Sequence, residues 1–222
     1  MAIILDGSNT PTLGGVAYGD GTELAFTSAG TSGQVLTSAG GAAPTWATMA
    51  ASPVTLITST TATAASSVVF TGLSTTYGFY LLEYDSVFSS VDYDALSLTI
   101  SADNGSTYYS SGYATQGTST IVGTTTVRSQ TNEPRFYLGP LNGSPNALAQ
   151  SSSGSVWMYA PAKAKRFNAQ NLSCSPNAAG NIENTVFSFG GPNGTSPINA
   201  IKVFFFSGTI TGSFRLYGYS AS

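Results

Sequence analysis

From Val54 onward, apolar and polar side chains take turns. Leu96, Leu98 and Ile100 are separated by Ser97 and Thr99, a two-residue period that predicts a strand with one face in a core and the other in water. The same alternation sets Tyr80, Leu82 and Tyr84 on one face, Val156 and Met158 on another, and Ile210, Phe214 and Leu216 against outward Thr211, Ser213 and Arg215. Helical periodicity is absent over any long stretch. Turn residues recur at Gly72, Asp103-Asn104-Gly105, Asn142-Gly143 and Pro192-Asn193-Gly194; Asn-Gly marks a hairpin because both residues accept positive φ. About ten strands fit between Val54 and Tyr219, which predicts an all-β fold, an antiparallel β-sandwich of jelly-roll-like form. Lys202-Val203-Phe204-Phe205-Phe206 is apolar on both faces and predicts a central strand covered on both sides.

The first fifty residues follow another rule. Ala2-Ile3-Ile4-Leu5 reads as a short strand ending in the turn Asp6-Gly7, and a glycine-rich stretch with a second turn at Asp20-Gly21 leads on. Thr27-Ser28-Ala29-Gly30 then returns as Thr37-Ser38-Ala39-Gly40, an offset of ten residues. An even offset puts both copies on one face of an extended strand. The large apolar side chains of this stretch are Val35, Leu36 and Trp46, too few to offset ordering some twenty residues at about 1–2 kcal/mol each. Order is therefore expected from other copies of the chain, with Val35, Leu36 and Trp46 at the interface between them. The small-residue linker Ala47 to Pro53 marks the boundary: residues 1–50 form an extended N-terminal docking and oligomerisation segment, and residues 51–222 form the sandwich.

The stretch Gly30 to Trp46, GTSGQVLTSAGGAAPTW, resembles the short repeat that precedes the distal domain of many bacteriophage tail-fibre and fibre-like virion proteins. Gly30 to Leu36, Ser38, Gly40, Pro44 and Trp46 carry the match. A looser resemblance lies in Ile198-Asn199-Ala200-Ile201 and Gly212 to Gly218, which look like the closing strands of the β-domain that often follows. The resemblance implies a viral structural protein, a homotrimer joined at the repeat to itself and, through residues 1–50, to other virion proteins. It implies no active site. Host attachment through the sandwich is the function it suggests first; the other is a capsid decoration, cement or head-fibre protein that meets no receptor.

Composition narrows the chemistry. Charged residues make up only 8% of the chain, and Ser, Thr, Gly and Asn stand in their place, as in exposed extracellular or particle-bound β-structure. Up to Val127 there are eight acids and no base; from Arg128 onward there are seven bases and two acids. Either the fold or an assembly must bring these halves together. A pI near 4.6 argues against nucleic acid as a partner. Cys174 is alone, so it is expected to be a small buried hydrophobe in a chain that matures in a reducing cytosol. The apolar run Ala2 to Leu5 is too short for a signal peptide or a span, which predicts no membrane insertion and release by lysis. Without secretion, the acceptor patterns at Asn104, Asn142, Asn171 and Asn193 stay unmodified.

Candidate sites are few. The chain has no histidine, which removes the commonest general base and zinc ligand, and no cofactor or enzymatic role is expected. Glu83, Asp85, Asp92 and Asp94 could form a carboxylate hydrolase or a calcium loop, but they lack the glycine and distal glutamate of an EF-hand, and a solvated loop is the simpler account of Asp92-Tyr93-Asp94. Tyr108, Tyr109, Tyr113 and Trp157 are the candidates for a host cell-surface glycan, since sugars stack on aromatic faces. Against this, Tyr109 and Tyr113 share a face suited to a core or a subunit interface, while Tyr108 points away, and the same alternative holds for Trp157 with Tyr159. Lys163-Ala164-Lys165-Arg166 is the one contiguous basic cluster, available to acidic polysaccharide or to the acidic half of another copy, though a solvated loop is the plainer account.

Overall fold

The computed structural model describes residues 12–50, 52–139, 151–176 and 181–220. The strand expected at Ala2 to Leu5, its turn at Asp6-Gly7 and the turn at Asn142-Gly143 lie outside the described residues. The chain divides between Ser52 and Pro53 into two compact units.

The first unit is two hairpins. Strands β1 (Ala17–Gly19) and β2 (Leu24–Phe26) pair antiparallel, as do β3 (Gln34–Ala39) and β4 (Ala42–Thr48). Asp20 closes the first turn, its Oδ1 accepting from the amides of Thr22 and Glu23, both at 2.8 Å. The duplicated tetrapeptide takes two conformations: Thr27 to Gly30 is a loop after β2, while Thr37 to Ala39 lie in β3. The common strand face expected from the even offset is therefore absent, because a turn at Ser32-Gly33, with Gly33 at φ 85°, interrupts the extension. Thr27 sits in its own unit, its hydroxyl accepting from Val16 N (3.0 Å) and donating to Ser28 O (2.9 Å). Thr37 instead bonds across its hairpin to Thr45 O at 2.9 Å.

The second unit is an all-β antiparallel sandwich. An eight-stranded sheet runs β10-β9-β14-β13-β12-β7-β16-β5 and a four-stranded sheet runs β11-β8-β15-β6. In the larger sheet these are Thr124–Glu133, Tyr113–Ile121, Ile182–Gly190, Asn168–Pro176, Ser152–Tyr159, Tyr77–Ser89, Ile210–Ser220 and Val54–Ala65; in the smaller, Phe136–Tyr137, Leu96–Ser101, Ala200–Phe205 and Val68–Thr71. Twelve strands are present among the described residues where the alternation suggested about ten. The extra ones are short or polar: β11 has two residues, and β10 carries Val127 as its only large apolar side chain.

The core lies between the sheets, as the alternation requires. Tyr80, Leu82, Tyr84, Val156, Met158, Phe214 and Leu216 from the large sheet meet Leu96, Leu98, Ile100, Ile201 and Val203 from the small one, all buried. Burying each such side chain contributes about 1.5–3 kcal/mol. Asn104 and Gly105 have φ of 58° and 90°, the mirror-image turn their sequence demands, yet β8 and β9 are not paired. The turn sends the chain across the sandwich instead of closing a hairpin. The hairpin with those residue requirements joins β9 to β10 through Val122 and Gly123, at φ 44° and 78°.

Three further expectations change. The polar face of β8 is dry: Ser97, Thr99 and Ser101 are buried. Strand β15 is central, paired with both β6 and β8, but Lys202 and Phe204 on its outer side are only half-buried. Cys174 is exposed, because it falls on the outward register of β13, opposite Asn184.

Candidate functional site

Two surfaces present side chains beyond what the fold needs: the first unit as a whole and the outer face of the eight-stranded sheet. In the first unit, Thr27 is the one buried residue among the described residues. Leu13, Val16, Leu24, Val35, Leu36 and Met49 are all exposed. Leu36 lies opposite Trp46 and Val35 opposite Ala47, so Val35 and Leu36 point to opposite faces of one hairpin. The three expected interface residues thus do not form a single inward stripe: Leu36 and Trp46 share a face, and Val35 has the other. Trp46 is half-buried, its Nε1–H donating to Ser28 O at 2.8 Å. A cleft of about 640 Å³ opens beside it, with Tyr18, Phe26 and Pro44 in its walls.

On the large sheet, Phe79, Leu81 and Glu83 alternate with the core residues of β7 and so face outward. Register aligns Tyr159, Phe79 and Tyr219 across β12, β7 and β16, and aligns Trp157, Leu81 and Tyr217 in the next row. Phe79 and Tyr219 stack with ring centroids 4.1 Å apart, and Trp157 lies 5.7 Å from Phe79 and 6.0 Å from Tyr219. The result is a half-buried aromatic patch held by cross-strand packing. Polar groups border it: Tyr159 Oη donates to Gln170 Oε1 at 3.0 Å, and Arg215 meets Glu83 at 3.9 Å. Burial, followed by the nearby Glu83 carboxylate, raises the Tyr217 phenol above its ordinary range, so the hydroxyl stays protonated and able to donate. Such a surface, flat, aromatic and fringed with amides and hydroxyls, suits the C–H face and the hydroxyl rim of a sugar.

Of the four glycan candidates, Trp157 lies in this patch and the three tyrosines do not. Tyr113 is fully buried: its Oη accepts from Ile100 N (3.0 Å) and donates to Tyr109 O (2.9 Å), and its ring meets Phe136 edge-on at 4.6 Å. It ties the two sheets together and cannot stack a ligand; burial drives its phenol pKa up. Tyr109 packs its partly buried ring on the core and is withdrawn for the same reason. Tyr108 lies at the other sheet, with Lys202 Nζ 4.3 Å above its ring.

The four acids part company. Glu83 pairs with Arg215, Asp85 accepts from Ser153 Oγ at 2.8 Å, and Asp92 is exposed. Asp94 is buried instead of solvated, its oxygens accepting from the amides of Ala95, Phe206, Ser207 and Gly208 at 2.7–2.9 Å. It anchors the loop that carries the chain from the small sheet back to the large one. No group of three or more potential metal ligands assembles among the described residues. Within the basic cluster, Arg166 Nε donates to Gly191 O at 2.7 Å.

Phe79, Tyr217 and Tyr219 are the residues that sequence reasoning missed. The signal was there: placing Tyr80, Leu82 and Tyr84 inward puts Phe79 outward, and placing Phe214 and Leu216 inward does the same for Tyr217 and Tyr219. Comparison of the chain with family models, with curated proteins and with solved structures finds no match in any of the three. Among the described residues no helix is long and apolar enough to cross a membrane.

Proposed function

We propose that this chain is a structural protein of a virus particle, built like a phage tail fibre, whose first unit joins copies of the chain and whose sandwich attaches to a host-surface glycan. The observation that carries the reading is the first unit's lack of a core: among residues 12–50 only Thr27 is buried. A unit of that size cannot offset its ordering entropy from within, so a surface of other chains must complete it. The resemblance of Gly30 to Trp46 to fibre repeats supports the same conclusion and favours three copies. The exposed Leu36, the Trp46 face and the cleft beside it are where sister chains or other virion proteins fit.

The aromatic patch around Trp157 supports the attachment half of the reading over catalysis. Three rings within 6.0 Å of one another give a sugar apolar area without a reacting group. The particle is the proposed location, with the chain made in the host cytoplasm.

The test is binding of the full-length chain to an array of bacterial surface polysaccharides, run beside the Trp157→Ala variant. Retention of one polysaccharide class by the native chain, lost in the variant, supports attachment. A native chain that binds none of them but saturates purified shells is a cement protein.

A further inference from the structure

The outer face of the four-stranded sheet carries a different arrangement. Register sets Tyr137, Ser97 and Phe204 in one row across β11, β8 and β15, with Thr99 and Lys202 in the next. Three cations lie over the rings. Arg128, reaching from edge strand β10 of the other sheet, has its guanidinium carbon 4.2 Å from the Tyr137 centroid. Arg135 lies 4.2 Å from Phe206, 5.8 Å from Phe204 and 5.9 Å from Tyr137. Lys202 Nζ is 4.3 Å from Tyr108 and 5.1 Å from Phe204.

Cation–π contact holds these groups in place but does not neutralise them. Among the described residues no carboxylate comes within ion-pair distance of Arg128, Arg135 or Lys202; the ion pair present, Arg215 with Glu83, belongs to the other sheet. A second observation falls on the same face. Thr99 Oγ1, Tyr108 Oη, Arg128 Nε and Arg135 Nε are buried polar atoms without a hydrogen-bond partner. Folded proteins leave few such atoms, and those they leave call for an explanation. Here they sit beside three like charges that repel one another.

We propose that this face binds a carboxylate-bearing saccharide, a uronate or sialate unit of an acidic polysaccharide. Its carboxylate pairs with Arg135, where bidentate geometry is available, while its C–H surface covers Phe204 and Phe206. Its hydroxyls lie towards Lys202 and Tyr108. A pocket of about 270 Å³ between Tyr93, Arg135, Tyr137 and Phe206 has room for one sugar residue. Asp92 and Asp94 line the pocket's other side; Asp94 is engaged by backbone amides, so the ligand's charge enters on the arginine side. Nucleic acid is the weaker occupant, because its affinity comes from many phosphate contacts along a basic track, and this face offers three cations gathered round a few rings. This site is independent of the Trp157 patch on the opposite sheet.

The experiment is calorimetric titration of the full-length chain with oligogalacturonate, oligosialate and the methyl ester of the galacturonate. One of the acidic probes is expected to bind, and binding is expected to fall about tenfold in Arg135→Gln and in Lys202→Gln, a change of about 1.4 kcal/mol each. Lys163→Gln, which removes the same charge elsewhere, is expected to leave it unchanged. The galacturonate ester, if the acid form binds, is expected to bind at least tenfold more weakly. Near-UV circular dichroism checks folding, and Lys202→Met serves if Arg135→Gln does not fold. No binding of either acidic probe at about 1 mM, a threshold near 4 kcal/mol, overturns the proposal. So does equal binding of the ester or of a DNA oligomer of equal charge. Loss in Trp157→Ala with retention in both cation variants overturns it too, by placing the sugar on the other sheet, and leaves the attachment reading standing.

Discussion

Trp46 lies flat against Gly30: a Cβ built on that glycine would fall 2.6 Å from the indole carbon Cδ2 and under 3.0 Å from two more ring atoms. The ring cannot simply slide away, because its Nε1–H is committed to Ser28 O at 2.8 Å. The glycine of the repeat is thus explained by the tryptophan at its end, and the pair is what joins the two hairpins of the first unit. Gly30→Ala should displace the indole, change Trp46 fluorescence and weaken association of the full chain, seen by light scattering, while leaving the sandwich's melting temperature within about 2 °C of the native value, the shift of a fraction of a kcal/mol.

Trp157→Ala removes the projecting ring of the aromatic patch, whose neighbours Phe79 and Tyr219 still stack on each other. Affinity for whichever glycan the array identifies should fall at least tenfold, about 1.4 kcal/mol or more. The melting temperature should fall by only a few degrees, since the ring lies on the outer face.

Asp94→Ala should be far more damaging. It strips the acceptor from the amides of Phe206, Ser207 and Gly208, and each amide left unpaired costs about 1–3 kcal/mol. A loss of about 3 kcal/mol or more would lower the sandwich's melting temperature by about 10 °C; Asp94→Asn, which keeps one acceptor oxygen, should lose less. Calorimetry of the two variants checks the order.

Asp103 gives a pH prediction. Its carboxylate accepts from Thr107 Oγ1 at 2.6 Å, Thr107 N at 2.8 Å and Ser101 Oγ at 2.7 Å, and those bonds hold its pKa down to about 2 from the ordinary 3.8. A folded pKa below the unfolded one means the contribution is complete above about pH 4 and disappears as pH falls through about 2. The Thr107 amide resonance should titrate in that window and nowhere higher; in Asp103→Asn it should not titrate there at all.

How much of this was legible beforehand follows from the range of each interaction. Alternation is local, so the inward faces of β7, β8, β12 and β16 were readable from a few residues each, and with them the antiparallel sandwich. Sheet order is not local. Nothing near Asn104-Gly105 says that β8 leaves for the other sheet; the face shared by Tyr109 and Tyr113 already suited a core, but the partners Ile100 and Phe136 come to Tyr113 from different strands and could not be read. The Trp157 patch was half legible: its outward positions follow from the alternation, its assembly from the register of β12, β7 and β16. The cation face was hidden because Arg128, Arg135 and Lys202 are scattered along the chain, whereas the contiguous run Lys163 to Arg166 drew notice without being gathered on a sheet face. Asp94 looked solvated because its partners, Phe206 to Gly208, are more than a hundred residues away.

The central claim is that the first unit is completed by other copies of the chain. Its most direct test is the mass of the purified full-length protein in solution by sedimentation equilibrium. The prediction is a stable species of three times 22.7 kDa, with amides of Val35 and Leu36 protected from hydrogen exchange. A monomer of 22.7 kDa with those same amides protected would show the unit ordered by its own molecule alone and would contradict the account.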